Sequence, residues 1–269
     1  MIIRYEDLEV IEMKTVEQLK EELAMNGDLA ELMDVLKGIA AAEFWTLSKK
    51  KRQFAAFIDA FEGFFQSIKF VDVQHPFVKG GGDLAIIMVT SNEGFMGGLN
   101  TRVINAALSY KGARDAQLIT IGEQGAGYLS SLGREFKAFP GVLGGECYER
   151  AIEVKDYIVE AGMAQKFGRL VLFYPRPISF MVQSIEWLEL LPCNRIFEKE
   201  YTDTKEWADV IIESPIEGIV EYLVHTWIVQ KLFEVFEDGK LAELSARTLH
   251  LEESYQILVE QEKTLKYQY

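Results

Sequence analysis

The last part of the sequence carries the pattern that most constrains the fold. Between residues 241 and 265, seam positions recur in alternating steps of three and four residues, which is the heptad spacing of a coiled coil. Most of these positions are apolar: Leu241, Leu244, Thr248, Leu251, Tyr255, Leu258, Glu262 and Leu265. A seam of this length needs a facing helix, so the pattern predicts a long C-terminal helix paired with another helix.

The first part of the sequence supplies a candidate for that second helix, because residues 15–70 contain almost no glycine or proline. Two apolar stripes are predicted to face a partner: Leu29, Leu32, Leu36, Ile39 and Ala40, then Phe54, Phe57, Phe61, Phe64 and Ile68. Asn26–Gly27 predicts a kink or a break. Each helix would have about 55 residues and span roughly 80 Å. Their positions at opposite chain ends predict an antiparallel coiled coil.

The middle of the chain alternates between apolar runs and helical periods. "DLAIIMVT" (83–90), "AQLITIG" (116–122) and "RLVLFY" (169–174) are typical of strands that are covered on both faces. Such alternation predicts an α/β, Rossmann-like head with a parallel sheet. "VQSIEWLELLP" (182–192) and "WADVIIES" (207–214) are candidates for further strands.

These patterns divide the chain into three predicted parts. Residues 1–75 form an N-terminal coiled-coil helix, residues 76–212 form the head, and residues 213–269 form a C-terminal coiled-coil helix. We call the paired helices the shaft.

Composition excludes several classes of function. The net charge of −14 argues against nucleic acid or anionic lipid as the main partner. Cys147 and Cys193 have no metal-ligand spacing and predict two reduced thiols in a cytoplasmic protein. No apolar run approaches the roughly 20 residues of a membrane helix, so direct membrane insertion is not expected.

A glycine turn, "GFMGG" at residues 94–98, follows the first predicted strand. Its GxxGG spacing is neither the dinucleotide fingerprint GxGxxG nor a phosphate-binding loop, which ends in GK followed by Ser or Thr. The end of the next strand also lacks an acidic residue to bind a ribose. Packing is therefore favoured over nucleotide binding, and we predict no cofactor, no metal and no catalytic residue.

Four segments, in order along the chain, resemble the gamma subunit of F-type ATP synthases. "VTSNEGFMGGLNTRVINAAL" (89–108) is similar to that family's TSDRGLCGGLN-type loop, and "GIAAAEF" (38–44) to its MVAAAKL segment. Residues 168–192 resemble its central strand and the LLP that follows, and residues 211–258 resemble the stretch that contains its SEHAARM-type motif.

The resemblance implies a central-stalk rotor subunit that couples ion translocation to ATP synthesis or hydrolysis on partner subunits and has no catalytic site of its own. The implied partners are the alpha and beta subunits of the hexamer, the epsilon subunit and the membrane ring. The implied location is cytoplasmic, peripheral to the inner membrane through the complex. The implied contact residues are Gly94, Gly97, Gly98, Leu99, Asn100, Glu243, Arg247, Lys49, Lys50, Lys51 and Arg52. For the last six residues, an ordinary solvated surface is the competing interpretation.

The sequence also departs from the family pattern. The family's last helix continues beyond the position of Tyr269, so we expect a divergent member with a shortened C-terminus. The first helix carries acids such as Glu31, Asp34 and Glu43 where the family is basic. Against acidic loops of a beta subunit, such a shaft would bind more tightly at high salt. The alternative is a free-standing protein with the gamma fold that binds a small molecule or another partner.

Overall fold

The computed structural model describes residues 15–67, 75–193 and 216–268. Six helices are α1 (Val16–Ser67), α2 (Pro76–Lys79), α3 (Leu99–Leu108), α4 (Glu123–Ser131), α5 (Cys147–Met163) and α6 (Ile216–Gln268). Five strands are β1 (Leu84–Val89), β2 (Gln117–Ile121), β3 (Lys137–Phe139), β4 (Arg169–Ser179) and β5 (Val182–Leu191). The phenylalanine seam at 54–68, the side chain of Arg52 and the strand expected at 207–214 lie outside the residues and side chains described.

The strands form one sheet in the order β3-β2-β1-β4-β5. The β3–β2, β2–β1 and β1–β4 pairs are parallel, so the predicted α/β head with a parallel core is confirmed. The additional strand expected at 182–192 is also present, but it pairs antiparallel with β4 as a hairpin. Antiparallel pairing follows from the short connection, because a parallel neighbour needs a crossover of a dozen or more residues.

Both faces of the sheet are covered, which explains the continuous apolar runs of β1, β2 and β4. One face contributes Ile86, Met88 and Val171 to a core beneath α3. The opposite face contributes Ile87, Ile119 and Leu172 to a core beneath α5 and the first half of α6. In that half of α6, buried residues extend from Leu223 to Phe236. The same helix therefore completes the head and continues into the shaft.

The second half of α6 lies antiparallel to α1. Asn26 contacts Leu258, Lys37 contacts Glu252, and Lys51 contacts Asp238, so positions that rise on one helix fall on the other. The predicted α6 seam is confirmed, since each of its eight positions is buried or half-buried. Ala40 and Phe44 of α1 form one buried cluster with Leu241 and Leu244 of α6.

Two predictions about α1 were wrong. The apolar stripe expected to face the partner helix does not: Leu29, Leu32 and Ile39 are exposed, and only Ala40 is buried. The seam instead uses small or polar residues such as Asn26 and Ala30, which allow the two helices to approach closely. The helix is also continuous through Asn26–Gly27. The Asn26 side-chain amide donates a hydrogen bond of 2.7 Å to the Leu258 carbonyl, a tertiary contact that favours helix over turn.

Candidate functional site

The glycine turn lies at the carboxyl end of β1, between that strand and α3. A methyl group added at Gly94, Gly97 or Gly98 would meet no atom within 4 Å. Gly97 is left-handed, with φ of 57°, and this requirement explains its identity. Phe95 is left-handed as well, with φ of 61°, and its ring is exposed. The left-handed backbone therefore favours glycine at 97, whereas neither space nor a left-handed backbone explains the glycines at 94 and 98.

Leu99 and Asn100 anchor the turn to the rest of the chain. The Asn100 side-chain amide donates to Ser91 Oγ at 2.9 Å, and its oxygen accepts from the Ser91 backbone N–H at 3.2 Å. Leu99 is buried against Met96 and against Ala246 of α6. These two predicted contact residues thus have a structural use in holding the turn closed.

The first backbone N–H groups of α4, which would attract a phosphate in a nucleotide-binding fold, are taken by the end of β1. Asn92 Oδ1 accepts from Glu123 N at 3.2 Å, and Thr90 Oγ1 accepts from Gly125 N at 3.0 Å. The Ser91 carbonyl accepts from the backbone N–H of residue 124 at 3.0 Å. The chain itself therefore satisfies the N-terminus of α4, the helix that follows β2.

Helix α6 covers the same region, at the carboxyl end of β1. A methyl group at Gly239 would lie 3.3 Å from the Val89 side chain, so this glycine allows the helix to cross the end of β1 closely. The cavity left between Thr90, Asn100 and Phe236 has a volume of about 20 Å³. That is room for about one water, whereas small-molecule pockets measure about 300–1,000 Å³.

An ion-pair chain connects the turn to the shaft. Arg247 Nη2 lies 2.7 Å from Glu93 Oε2 and 2.9 Å from Glu243 Oε1, and Lys240 Nζ lies 2.8 Å from the same Glu243 oxygen. The Glu243 and Arg247 side chains are only 10% and 14% exposed. The structure therefore brings both predicted residues to the glycine turn, where they bind each other and Glu93.

The basic run of α1 divides into two kinds of residue. Lys49 and Lys50 are exposed. Lys51 binds Asp238 of α6, whose other oxygen lies 3.9 Å from Arg176 of β4. Asp238 precedes Arg247 by nine residues, or about 14 Å along the helix. The basic run and the glycine turn are thus separate points at the base of the shaft.

The chain is similar to known proteins over most of its length. A family model described as ATP synthase matches residues 15–269. Matching relatives are named ATP synthase gamma chain. The chain belongs to the ATP synthase gamma-chain family. The relative from Delftia acidovorans is 27% identical over 184 residues, covering 64% of this chain and 63% of that protein. The one from Nitrosomonas eutropha is 28% identical over 190 residues, covering 66% and 65%. The matched region thus spans just under two thirds of each relative.

Two chains from solved ATP synthase structures have the same fold as this chain. A chain from the rotor of the Euglena gracilis mitochondrial ATP synthase superposes with a TM-score of 0.65 at 15% identity, covering 93% of this chain and 94% of that one. A chain from the central stalk and c-ring of the Tetrahymena thermophila enzyme gives a TM-score of 0.61 at 15% identity, covering 82% and 98%. At this level of identity, the likeness shows the fold.

Among the residues that the structure describes, no three His, Cys, Asp or Glu side chains are grouped to hold a metal ion. None of the described helices combines the length and the apolar composition that a membrane span needs.

Sequence reasoning missed two features of the site. Asn92 accepts from Gly141 N at 2.8 Å as well as from α4, and it thereby joins three loops at the carboxyl edge of the sheet. Glu237 is buried at the junction of shaft and head, and its Oε2 has no hydrogen-bond partner among the described residues. Burial, aided by Asp238 and Glu234 and opposed by Lys51, raises the pKa of Glu237. An acidic residue beside the acidic Asp238 gives no sequence signal that it is buried.

Proposed function

We propose that the chain is a central-stalk, or rotor, subunit of a rotary ATP synthase. It couples ion translocation to ATP synthesis or hydrolysis on partner subunits and carries no catalytic site. The observation that carries this proposal is an antiparallel helix pair that projects from an α/β head in a chain matched by the family model over residues 15–269. The names of the relatives, ATP synthase gamma chain, support the same role.

The proposed partners are the alpha and beta subunits around the shaft, and the epsilon subunit and membrane ring at the head. The proposed location is cytoplasmic, peripheral to the inner membrane. In this arrangement residues 1–75 and 213–269 carry the shaft and residues 76–212 form the head, with the first half of α6 also packed against the sheet of the head. An asymmetric shaft contacts identical sites differently, so rotation carries each site through the same series of conformations.

Within this role, we assign the glycine turn to subunit contact. Gly94 and Gly98 have open space around them, which supports the close approach of another chain. Glu243 and Arg247 act on that contact through Glu93, by holding the turn on α6. Lys49 and Lys50 offer exposed positive charge at the base of the shaft.

The alternative, a free-standing small-molecule binder, is not favoured. The cavity at the glycine turn admits about one water, and the polar groups around it already have partners inside the chain. Titration of the isolated chain with ATP, ADP and NAD is expected to show no saturable binding below about millimolar concentration, since ligand pockets need far more volume.

Assembly tests the rotor role directly. The chain is mixed with the alpha and beta subunits encoded with it, and the product is measured by native mass spectrometry. We expect one copy per alpha–beta hexamer and ATP hydrolysis only in the complex. A hexamer that assembles and hydrolyses ATP without ever binding the chain would overturn the role.

A matched pair of variants tests the turn. Gly94→Arg places a long side chain in the open space of the turn, and Gly127→Arg does the same on α4 in the head. Both variants are expected to fold with unchanged melting temperature. Only Gly94→Arg is expected to weaken assembly, by about tenfold or more, because a bulky charge at an interface blocks close approach. Equal binding by the two variants would remove the turn from the contact.

A further inference from the structure

Several large apolar side chains of α1 lie on its outer face, away from α6. Met25, Leu29, Leu32, Leu36 and Ile39 recur in steps of four and three, which is a second heptad stripe beside the buried seam. Met25, Leu32 and Ile39 are 59%, 49% and 51% exposed. We call these five residues the outer stripe.

The pairing of α1 with α6 does not use the outer stripe. The seam against α6 uses Asn26, Ala30 and Ala40, each nearly fully buried. Burial of a Leu, Ile or Met side chain is stabilising, and the isolated chain leaves about half of the surface of Met25, Leu32 and Ile39 in water. Contiguous apolar surface of this kind marks an interaction site.

A groove extends the outer stripe onto the second helix. It lies between α1 and α6 near their far ends, has a volume of about 620 Å³, and is lined by Met25 and Leu29 on one side and Ile257 and Leu258 on the other. Ile257 is 59% exposed. The groove is large enough to receive several side chains from a neighbouring surface.

The charges around the outer stripe are mainly acidic. Glu21, Asp28 and Glu31 are exposed on α1. The nearby bases are already engaged: Lys37 lies 2.6 Å from Asp34 and 2.8 Å from Glu252, and Lys263 lies 3.2 Å from Glu260. Lys20 also has an interaction partner. The surface therefore presents apolar side chains within a negative border.

We propose that the outer stripe docks on a partner protein whose apolar surface is bordered by lysines and arginines. This inference rests on the proposed rotor function. It states the chemistry of the surrounding alpha–beta hexamer, whose inner wall is positively charged where it faces α1. It follows that an alpha–beta hexamer whose wall is acidic at this level binds this shaft poorly, because like charges at an interface repel.

The experiment measures binding of the full chain to the alpha–beta hexamer encoded with it, across a salt series. For the wild type we expect affinity to fall about tenfold between low and high salt, because opposite exposed charges are screened. The test variant is Asp28→Lys with Glu31→Lys. We expect it to bind about tenfold more weakly at low salt and to lose most of the salt dependence.

One control makes the same change elsewhere: Glu149→Lys with Glu160→Lys alters the net charge equally on α5 of the head. A second, Lys49→Glu with Lys50→Glu, reverses the two exposed charges of the basic run. Both pairs are exposed. We expect the head variant to bind like the wild type and the Lys variant to keep the salt dependence. Melting temperatures verify that each variant is folded.

The outcomes separate the inference from the function on which it rests. Affinity that rises with salt indicates an acidic wall and overturns the inference while leaving the rotor role. Salt dependence that disappears only in the Lys49 and Lys50 variant assigns the attraction to the basic run and overturns it as well. If the wild type forms no complex at any salt concentration, the rotor role itself is overturned.

Discussion

The carboxyl edge of the sheet and the outer stripe of the shaft differ in how many of their groups have partners within the chain. At the sheet edge, Asn92 and Thr90 bind the first N–H groups of α4, and a cavity of about 20 Å³ remains. On the shaft, Leu32 and Ile39 are exposed beside a groove of about 620 Å³. The polar groups at the sheet edge have partners within the chain, whereas the shaft has an apolar face that no described residue covers.

This difference shows that local motifs have opposite meanings in the two regions. In the head, a glycine turn that resembles a phosphate-binding loop is closed by Asn100, Leu99 and α6. In the shaft, an apolar stripe that resembles core faces outward, and smaller residues form the seam. Which groups already have partners inside the chain decides between function and packing in both cases.

The largest expected effect contrasts the two faces of α1. Phe44 is buried and lies edge-on to Phe180 of the β4–β5 hairpin, with ring centroids 4.8 Å apart. Phe44→Ala is expected to lower the free energy of unfolding by about 4 kcal/mol through lost burial and a cavity. Leu32→Ala, on the exposed stripe, is expected to change it by less than about 0.5 kcal/mol. Urea denaturation of the isolated chain measures both, and equal losses would mean that the outer stripe packs within the chain.

The second prediction concerns the filled sheet edge. A methyl group at Gly122 would lie 2.4 Å from the Thr90 carbonyl oxygen, and φ there is 103°. Gly122→Ala is expected to cost about 3 kcal/mol through strain and displacement of backbone. Gly127→Ala, within α4 and with open space around it, is expected to be neutral or to stabilise by up to about 1 kcal/mol. Thermal unfolding compares the two, and a neutral Gly122→Ala would show that this edge is loosely packed.

The smallest expected effect concerns Glu237, which lies at the junction of shaft and head. Because the pKa of Glu237 is raised above 4.5 in the folded chain, the folded state binds this proton more tightly than the unfolded state does. Stability contributed by the protonated carboxyl is present below pH 4.5 and is lost as pH rises through the raised pKa. Glu237→Met removes the buried charge and is expected to stabilise the chain by about 1 kcal/mol at pH 7, less toward pH 4.5.

Glu234→Met serves as the control for Glu237, because it removes a carboxylate of the same helix that is paired with Lys231 at 3.0 Å. Melting temperatures from pH 4.5 to 7.5 are expected to separate the two variants. A Glu237→Met variant that melts below the wild type at pH 7 would show that this carboxylate has a favourable partner.

Periodicity was sufficient to predict the elements whose burial is uniform. The α6 seam from Leu241 to Leu265 and strands β1, β2 and β4 follow from apolar spacing, since the seam faces one helix and the strands are covered on both faces. The short strand β3 and the glycine-containing helix α4 were missed, because their local sequences favour neither structure.

The orientation of α1 was not predictable in the same way. Spacing identifies a stripe but not what covers it, so the larger residues Leu29 and Leu32 were placed on the wrong face. The helical conformation at Asn26 depends on a carbonyl 232 residues away in sequence. At the candidate site, the glycine spacing predicted that the turn binds no phosphate, but the role of Asn92 and the left-handed Phe95 required the structure.

Helix α6 belongs to both regions, and this continuity has a mechanical consequence. Its 53 residues correspond to about 80 Å without a loop between the half packed under the sheet and the half paired with α1. A loop would absorb torsion through soft backbone rotations, whereas the hydrogen bonds of an unbroken helix resist it. A twist applied at the far end of α6 is therefore transmitted toward the β-sheet through unbroken helix, and the contacts of Asp238 with Lys51 and Arg176 link that helix to α1 and β4.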